Sequence, residues 1–157
     1  MLIGAPNPSY AFYLPNAPLL DTNWDVQHPD ACEKLIALNG NHWRKVLTIM
    51  AKICVVGDDW RSYRDNLLLK QHEVILIGSR TFHPHAQTHF VCGQVATTLL
   101  GLTPLYHKTL DAEGKIHIIQ PELGSPSIKH CLSTPYLDYR QYSNALIELT
   151  RAYIAAN

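Results

Sequence analysis

Val74, Ile75, Leu76 and Ile77 form an unbroken apolar run that Gly78 ends, and no other feature constrains the fold of this chain as strongly. Successive side chains of a strand point to opposite faces, so a run apolar on both needs cover on both. Helices supply such cover, and the sequence before the run is helical. From Asn41 to Gly57, Trp43, Val46, Leu47, Met50 and Ile53 recur at helical spacing, with His42, Arg44, Lys45, Thr48 and Lys52 opposite them. Asp30 and Glu33 have capping-box spacing for a shorter helix that Gly40 closes, and Asn41 is placed to cap the next. A third helix is expected from about Asp59 to Lys70, with Trp60, Tyr63 and Leu67 on one side.

The remaining segments complete an alternating pattern. Ser9 to Leu14, aromatic-rich between Pro8 and Pro15, reads as a strand, and Trp24 in the loop after it is expected to pack. His89 to Cys92 is a second strand apolar enough for burial, followed by Gly93 and a helix from Gln94 to Leu100. Leu105–Leu110 and Lys115–Gln120 flank Asp-Ala-Glu-Gly, which has Asp at the start of a four-residue turn and Gly at its end, so a hairpin is expected. A loop over residues 121–126 and a short strand at Leu132–Thr134 follow. Ser143 can then cap a last helix with Leu146, Leu149 and Tyr153 as its buried stripe. The expected fold class is α/β: a single domain over residues 1–157, with a central mixed, mostly parallel sheet flanked by helices.

At 157 residues the chain has the usual size of one domain, able to bury roughly 70 % of its unfolded surface. Apolar residues make up 46 % and charged ones 17 %, which excludes intrinsic disorder. Thirteen basic residues balance thirteen acidic ones. That balance argues against non-specific duplex DNA binding, and the low colloidal repulsion it implies favours a homo-oligomer. Cys32, Cys54, Cys92 and Cys131 fall in four segments without a C-x-x-C pair, as reduced thiols do. Met1 to Asn7 has no basic leader, and no apolar run nears the roughly 20 residues that span a bilayer. The cytoplasm is the expected compartment, with no membrane partner.

Two clusters of polar residues stand out. His83, His85 and His89 fall within seven residues after the buried strand. The first two resemble the H-x-H of the metallo-β-lactamase fold, but Gln87 and Thr88 stand where its Asp and third His would be. A mixed zinc set of His89, Cys92, His130 and Cys131 is chemically suitable, yet His89 and Cys92 end a strand about 10 Å apart at 3.3 Å per residue. A solvated His-rich loop with core thiols is the reading adopted: no metal and no cofactor.

The second cluster is Ser133 to Asn144, between a late strand and the last helix, where open α/β sheets bind ligands. Tyr136, Tyr139 and Tyr142 offer stacking faces, Asp138 and Arg140 are two residues apart, and Asn144 sits at the helix start. Tyr136, Asp138, Tyr139, Arg140, Tyr142 and Asn144 are therefore the candidate ligand-binding residues, for a nucleotide-like or other small anionic ligand. Their alternative is structural, an ion pair and tyrosines filling a helix-to-sheet corner. Gly93 opens a helix after a strand, as a phosphate site or close packing requires. The chain has no G-x-S-x-G and no P-loop, which disfavours nucleophilic and phosphoryl-transfer enzymes, and no catalytic residue is assigned.

Asn41–Val46 (N-H-W-R-K-V), Cys92–Leu102 (C-G-x-x-A-x-x-L-L-G-L) and Pro135–Glu148 together resemble a small bacterial family to which no activity is assigned. A fainter similarity is to the uracil-DNA glycosylase superfamily, small α/β domains with an early G-x-x-P-type loop and a late strand followed by H-P-S-x-x-N. Gly4 to Pro8 and Thr134-Pro135-Tyr136 are the matching positions here, with Thr134 and Tyr136 replacing the motif His and Ser. That resemblance implies a glycosylase-like enzyme. The readings to be weighed are a ligand-binding domain, a glycosylase-like or metal-dependent hydrolase, and a protein-interaction module.

Overall fold

The apolar run forms a strand with both faces covered. The computed structural model describes residues 1–120 and 128–156, so the loop expected over residues 121–126 lies outside the described residues. The strands are β1 (Leu2–Gly4), β2 (Tyr10–Leu14), β3 (Glu73–Ile77), β4 (Thr88–Cys92), β5 (Tyr106–Thr109), β6 (His117–Ile119) and β7 (His130–Thr134). The helices are α1 (Ala31–Asn39), α2 (Asn41–Cys54), α3 (Trp60–Asn66), α4 (Gln94–Leu99) and α5 (Asn144–Ala156). The described strands form one sheet in the order β1-β3-β2-β4-β7-β6-β5. Its centre, β3, β2, β4 and β7, is parallel, while β1 and the β5–β6 hairpin extend the two edges antiparallel. The expected α/β class with a mixed, mostly parallel sheet is therefore the observed one.

Each face of the sheet has its own core. Phe12, Leu14, Ile75, Phe90 and Leu132 face α1, α2 and α5, burying Leu35, Val46, Leu47, Met50, Tyr142 and Ile147. Phe12 and Phe90, neighbours on β2 and β4, stack with centroids 4.6 Å apart. The opposite face, with Ala11, Tyr13, Val74 and Val91, is covered by Ala86, Ala96 and Leu102. The chain passes from β2 to β3 on one side and from β3 to β4 on the other. Such a reversal opens a crevice at the carboxyl ends of parallel strands.

Several boundaries differ from the expected ones for local reasons. Asp30 makes no side-chain cap; its carboxylate pairs with Lys34 at 3.4 Å instead. Gly40, at φ 78°, joins α1 directly to α2, so Asn41 is already helical and does not cap. Its Oδ1 accepts from Arg44. α2 stops at Cys54, short of Gly57. α3 ends at Asn66 because Leu69 turns left-handed, at φ 70°, and donates its N–H to the buried Glu73 carboxylate at 2.9 Å. In α5 Ser143 accepts from Leu146 N–H as a cap should, but Leu149 is exposed and Ile147 and Thr150 are buried in its place. The Asp111–Gly114 turn closes as expected, Gly114 N–H donating to the Asp111 carbonyl at 3.2 Å. No helix among the described residues is long and apolar enough to cross a membrane.

Candidate functional site

β7 ends at Thr134 because Pro135 has no N–H with which to continue the ladder. Cys92 and Thr134 are the last pair in register with β4, and Gly93 N–H donates to the Thr134 carbonyl at 2.9 Å. Gly93 has φ 90°, and a Cβ built there would meet the Tyr136 Cβ at 3.4 Å. The two strands thus end together, and beyond them lies a cavity of about 400 Å³. Thr97, Ser133 and Thr134 form its polar floor, and Tyr136 and Arg140 form one wall. Across from them the hairpin contributes Tyr106, Lys115 and His117. No described carboxylate lines this space.

Each wall is held by specific contacts. His42 Nε2 lies 2.6 Å from the Tyr136 hydroxyl, which ties α2 to the segment after β7. Burial, with the nearby Cys92 and Asp138 adding to it, pushes the Tyr136 phenol up to about 12, so it stays protonated near neutrality. Arg140 donates from Nε to Asp138 Oδ1 at 3.3 Å and from Nη2 to Oδ2 at 3.1 Å. Lys45 Nζ approaches the same carboxylate at 3.7 Å. Hydrogen bonds from the Arg140 side chain and N–H hold Asp138 down to about 2. The Tyr106 and His117 rings stack at 3.9 Å with only 9° between their planes.

The floor offers hydrogen bonds but no activated nucleophile. Thr97 Oγ1 donates to the Gly93 carbonyl at 2.9 Å, so in its 2.8 Å contact with Ser133 it must accept. The Ser133 proton is thereby committed.

The structure separates the six candidate ligand residues. Tyr136 and Arg140 line the cavity. Asp138 stands behind Arg140 with its side chain only 12 % exposed, orienting the guanidinium. Tyr139 belongs to a neighbouring groove, where the Lys52 ammonium lies 4.8 Å from its ring centroid. Tyr142 is fully buried, its hydroxyl bonded to Thr150, and so forms no surface wall. Asn144 accepts from Lys52 Nζ at 3.1 Å, away from the cavity. Lys115 and His117 line the cavity from the hairpin. Two residues apart on an extended segment, they share a face, but no local signal places the hairpin beside β7.

The other constellations disperse. His89 is enclosed: its Nδ1 meets Tyr13 Oη at 2.7 Å and its Nε2 the Ala86 carbonyl at 2.9 Å. Burial lowers it to about 4, so it is neutral. His83 turns its Nδ1 to the N–H groups of His85 and Ala86. Among the described residues no three His, Cys, Asp or Glu side chains are arranged to hold a metal. Gly4 pairs with Val74 at the amino end of β3, whereas Thr134–Tyr136 leave the carboxyl end of the parallel β7. The two segments that carry the glycosylase resemblance therefore lie at opposite ends of the sheet.

No curated protein and no solved structure matches the chain. A family model described as "Family of unknown function (DUF6942)" matches residues 1–155, which spans all three motifs quoted above, and the chain belongs to that family.

Proposed function

We propose that the protein binds a small anionic, nucleotide-like ligand in the cavity at the ends of β4 and β7. The observation that carries this reading is the state of Arg140. Asp138 engages its Nε and Nη2, while its side chain remains 82 % exposed at the rim of a space that no carboxylate lines among the described residues. A planar fork held in this way recognises phosphate or carboxylate oxygens, and Lys115, itself paired with Glu113 at 3.3 Å, adds a second cationic donor at the rim. The Tyr106–His117 stack offers a flat face for a base. Among the described residues no carboxylate lines the cavity to activate water, which favours binding over glycosylase-type hydrolysis. All four cysteines are free thiols, which supports the reducing cytoplasm as the compartment.

A thermal-shift screen of nucleoside monophosphates and organic acids tests the reading. At a hundredfold excess over Kd the stabilisation is about 2.7 kcal/mol, or roughly 5–10 °C for a domain of this size. Arg140→Ala abolishes that shift and lowers the unliganded melting temperature only by the modest contribution of an exposed ion pair. A large drop in the unliganded protein, with no ligand raising the wild type, would mean that the ion pair merely fastens α5.

A further inference from the structure

A second concavity, of about 470 Å³, lies on the α2–α3 face and takes its last wall from Tyr139. Its chemistry differs from that of the cavity. Arg44, Lys45, Arg61 and Arg64 line it together with Trp60 and Tyr139, and Lys52 sits between the two rings, 5.1 Å from the indole centroid and 4.8 Å from the phenol. Five of the chain's thirteen cations thus gather on two helices of a protein whose net charge is zero. Carboxylates neutralise this charge only in part. α2 contains no Asp or Glu at all, and among the described residues Arg44, Lys52 and Arg61 have no carboxylate partner. Only Lys45 and Arg64 have one, at 3.7 Å from Asp138 and 2.9 Å from Asp65.

Leaving these cations in one groove costs repulsion, which a polyanion relieves. The spacing favours an extended one. Arg44, Thr48 and Lys52 recur at four-residue intervals, so they form a stripe along α2 about 12 Å long at 1.5 Å per residue. Arg61 and Arg64 lie along its other side, their guanidinium carbons 5.0 and 5.5 Å from the Trp60 centroid. Guanidinium planes and rings alternating beside ammonium groups are the surface that takes phosphates and unstacked bases together. A duplex hides its bases from such rings, and an acidic peptide has no use for them.

We infer that the α2–α3 groove binds single-stranded nucleic acid, its phosphates on Arg44, Lys45, Arg61 and Arg64 and its bases against Trp60 and Tyr139. This site is separate from the cavity: the Lys45–Asp138–Arg140 chain of ion pairs stands between the two, and neither reading needs the other.

Fluorescence anisotropy with a fluorescein-labelled twelve-residue oligothymidylate tests the inference. The wild type binds, and for four phosphate contacts its affinity falls with salt at a log–log slope of about −3. Arg61→Glu weakens binding at least about tenfold; Arg61 is exposed and, among the described residues, makes a ring contact with Trp60 but no ion pair, and an unchanged melting temperature checks that the fold does not need it. Trp60→Leu weakens it about tenfold at constant salt slope, since it removes a ring and no charge. Arg61→Glu retains the nucleotide-induced thermal shift of the cavity, which distinguishes failure at one site from failure at the other. Oligothymidylate affinity unaltered by Arg61→Glu overturns the inference. So does inorganic polyphosphate displacing the oligomer equally well at equal phosphate while Trp60→Leu has no effect, because the groove would then bind charge alone.

Discussion

Asp138 and Arg140 meet edge to edge, Oδ1 on Nε at 3.3 Å and Oδ2 on Nη2 at 3.1 Å, and the Arg140 N–H adds a third contact to Oδ1 at 3.0 Å. The pair is two residues long in sequence and therefore local, yet it sets the direction of the guanidinium at the cavity rim. Asp138→Asn keeps the side-chain shape and removes the charge. The expected outcome is weaker nucleotide affinity with the fold intact, read by calorimetry and circular dichroism.

The same pair has a pH signature. Asp138 is held from a usual 3.8 down to about 2, so its folded-state value is depressed. The stability it contributes is present above the unfolded value and is lost as pH falls from about 4 towards 2. Asp138→Asn flattens this part of the acid-unfolding curve. An identical acid limb in the variant would show that the pair contributes nothing.

His89 acts higher on the pH scale. Its value falls from a usual 6.5 to about 4 through burial, so the unfolded chain takes up the proton first. Stability is therefore lost as pH falls through that window, by about 3 kcal/mol in full. Urea titrations at pH 7 and 4.5 measure the loss. Tyr13→Phe leaves His89 Nδ1 and the His83 N–H without the hydroxyl they share, at an expected cost of about 1–3 kcal/mol.

Gly93→Ala probes the floor of the cavity. The new Cβ makes an ordinary 3.4 Å contact with Tyr136, so the penalty comes from the backbone, at φ 90° and ψ 168°, and is expected to be about 1–3 kcal/mol. Because the strain falls at the base of the cavity, the nucleotide-induced thermal shift declines with it. Denaturant unfolding measures the first effect and calorimetry the second.

Much of the fold was legible from residues whose neighbours in sequence decide their fate. Val74–Ile77, the stripe of α2 from Trp43 to Met50 and the Asp111–Gly114 turn all appear where periodicity and turn chemistry put them. β1 was not visible because three residues carry no period; only its register against β3 makes Leu2–Gly4 a strand. The end of α3 depends on a buried carboxylate four residues beyond Leu69, and the buried face of α5 shifts from Leu149 to Ile147 and Thr150 through packing. The candidate site divides in the same way. Arg140, Asp138 and Tyr136 are close in sequence and were found together, whereas Tyr142 turned inward and Lys115, His117 and His42 arrive from other elements.

Titration of ¹⁵N-labelled protein with adenosine 5′-monophosphate tests the central claim most directly, because each amide reports its own surroundings. Binding at the cavity perturbs Gly93, Thr134, Tyr136 and Arg140 together with Lys115 and His117 across the gap, and these shifts vanish in Arg140→Ala. Perturbations confined to other surfaces, or none up to millimolar nucleotide, would contradict it.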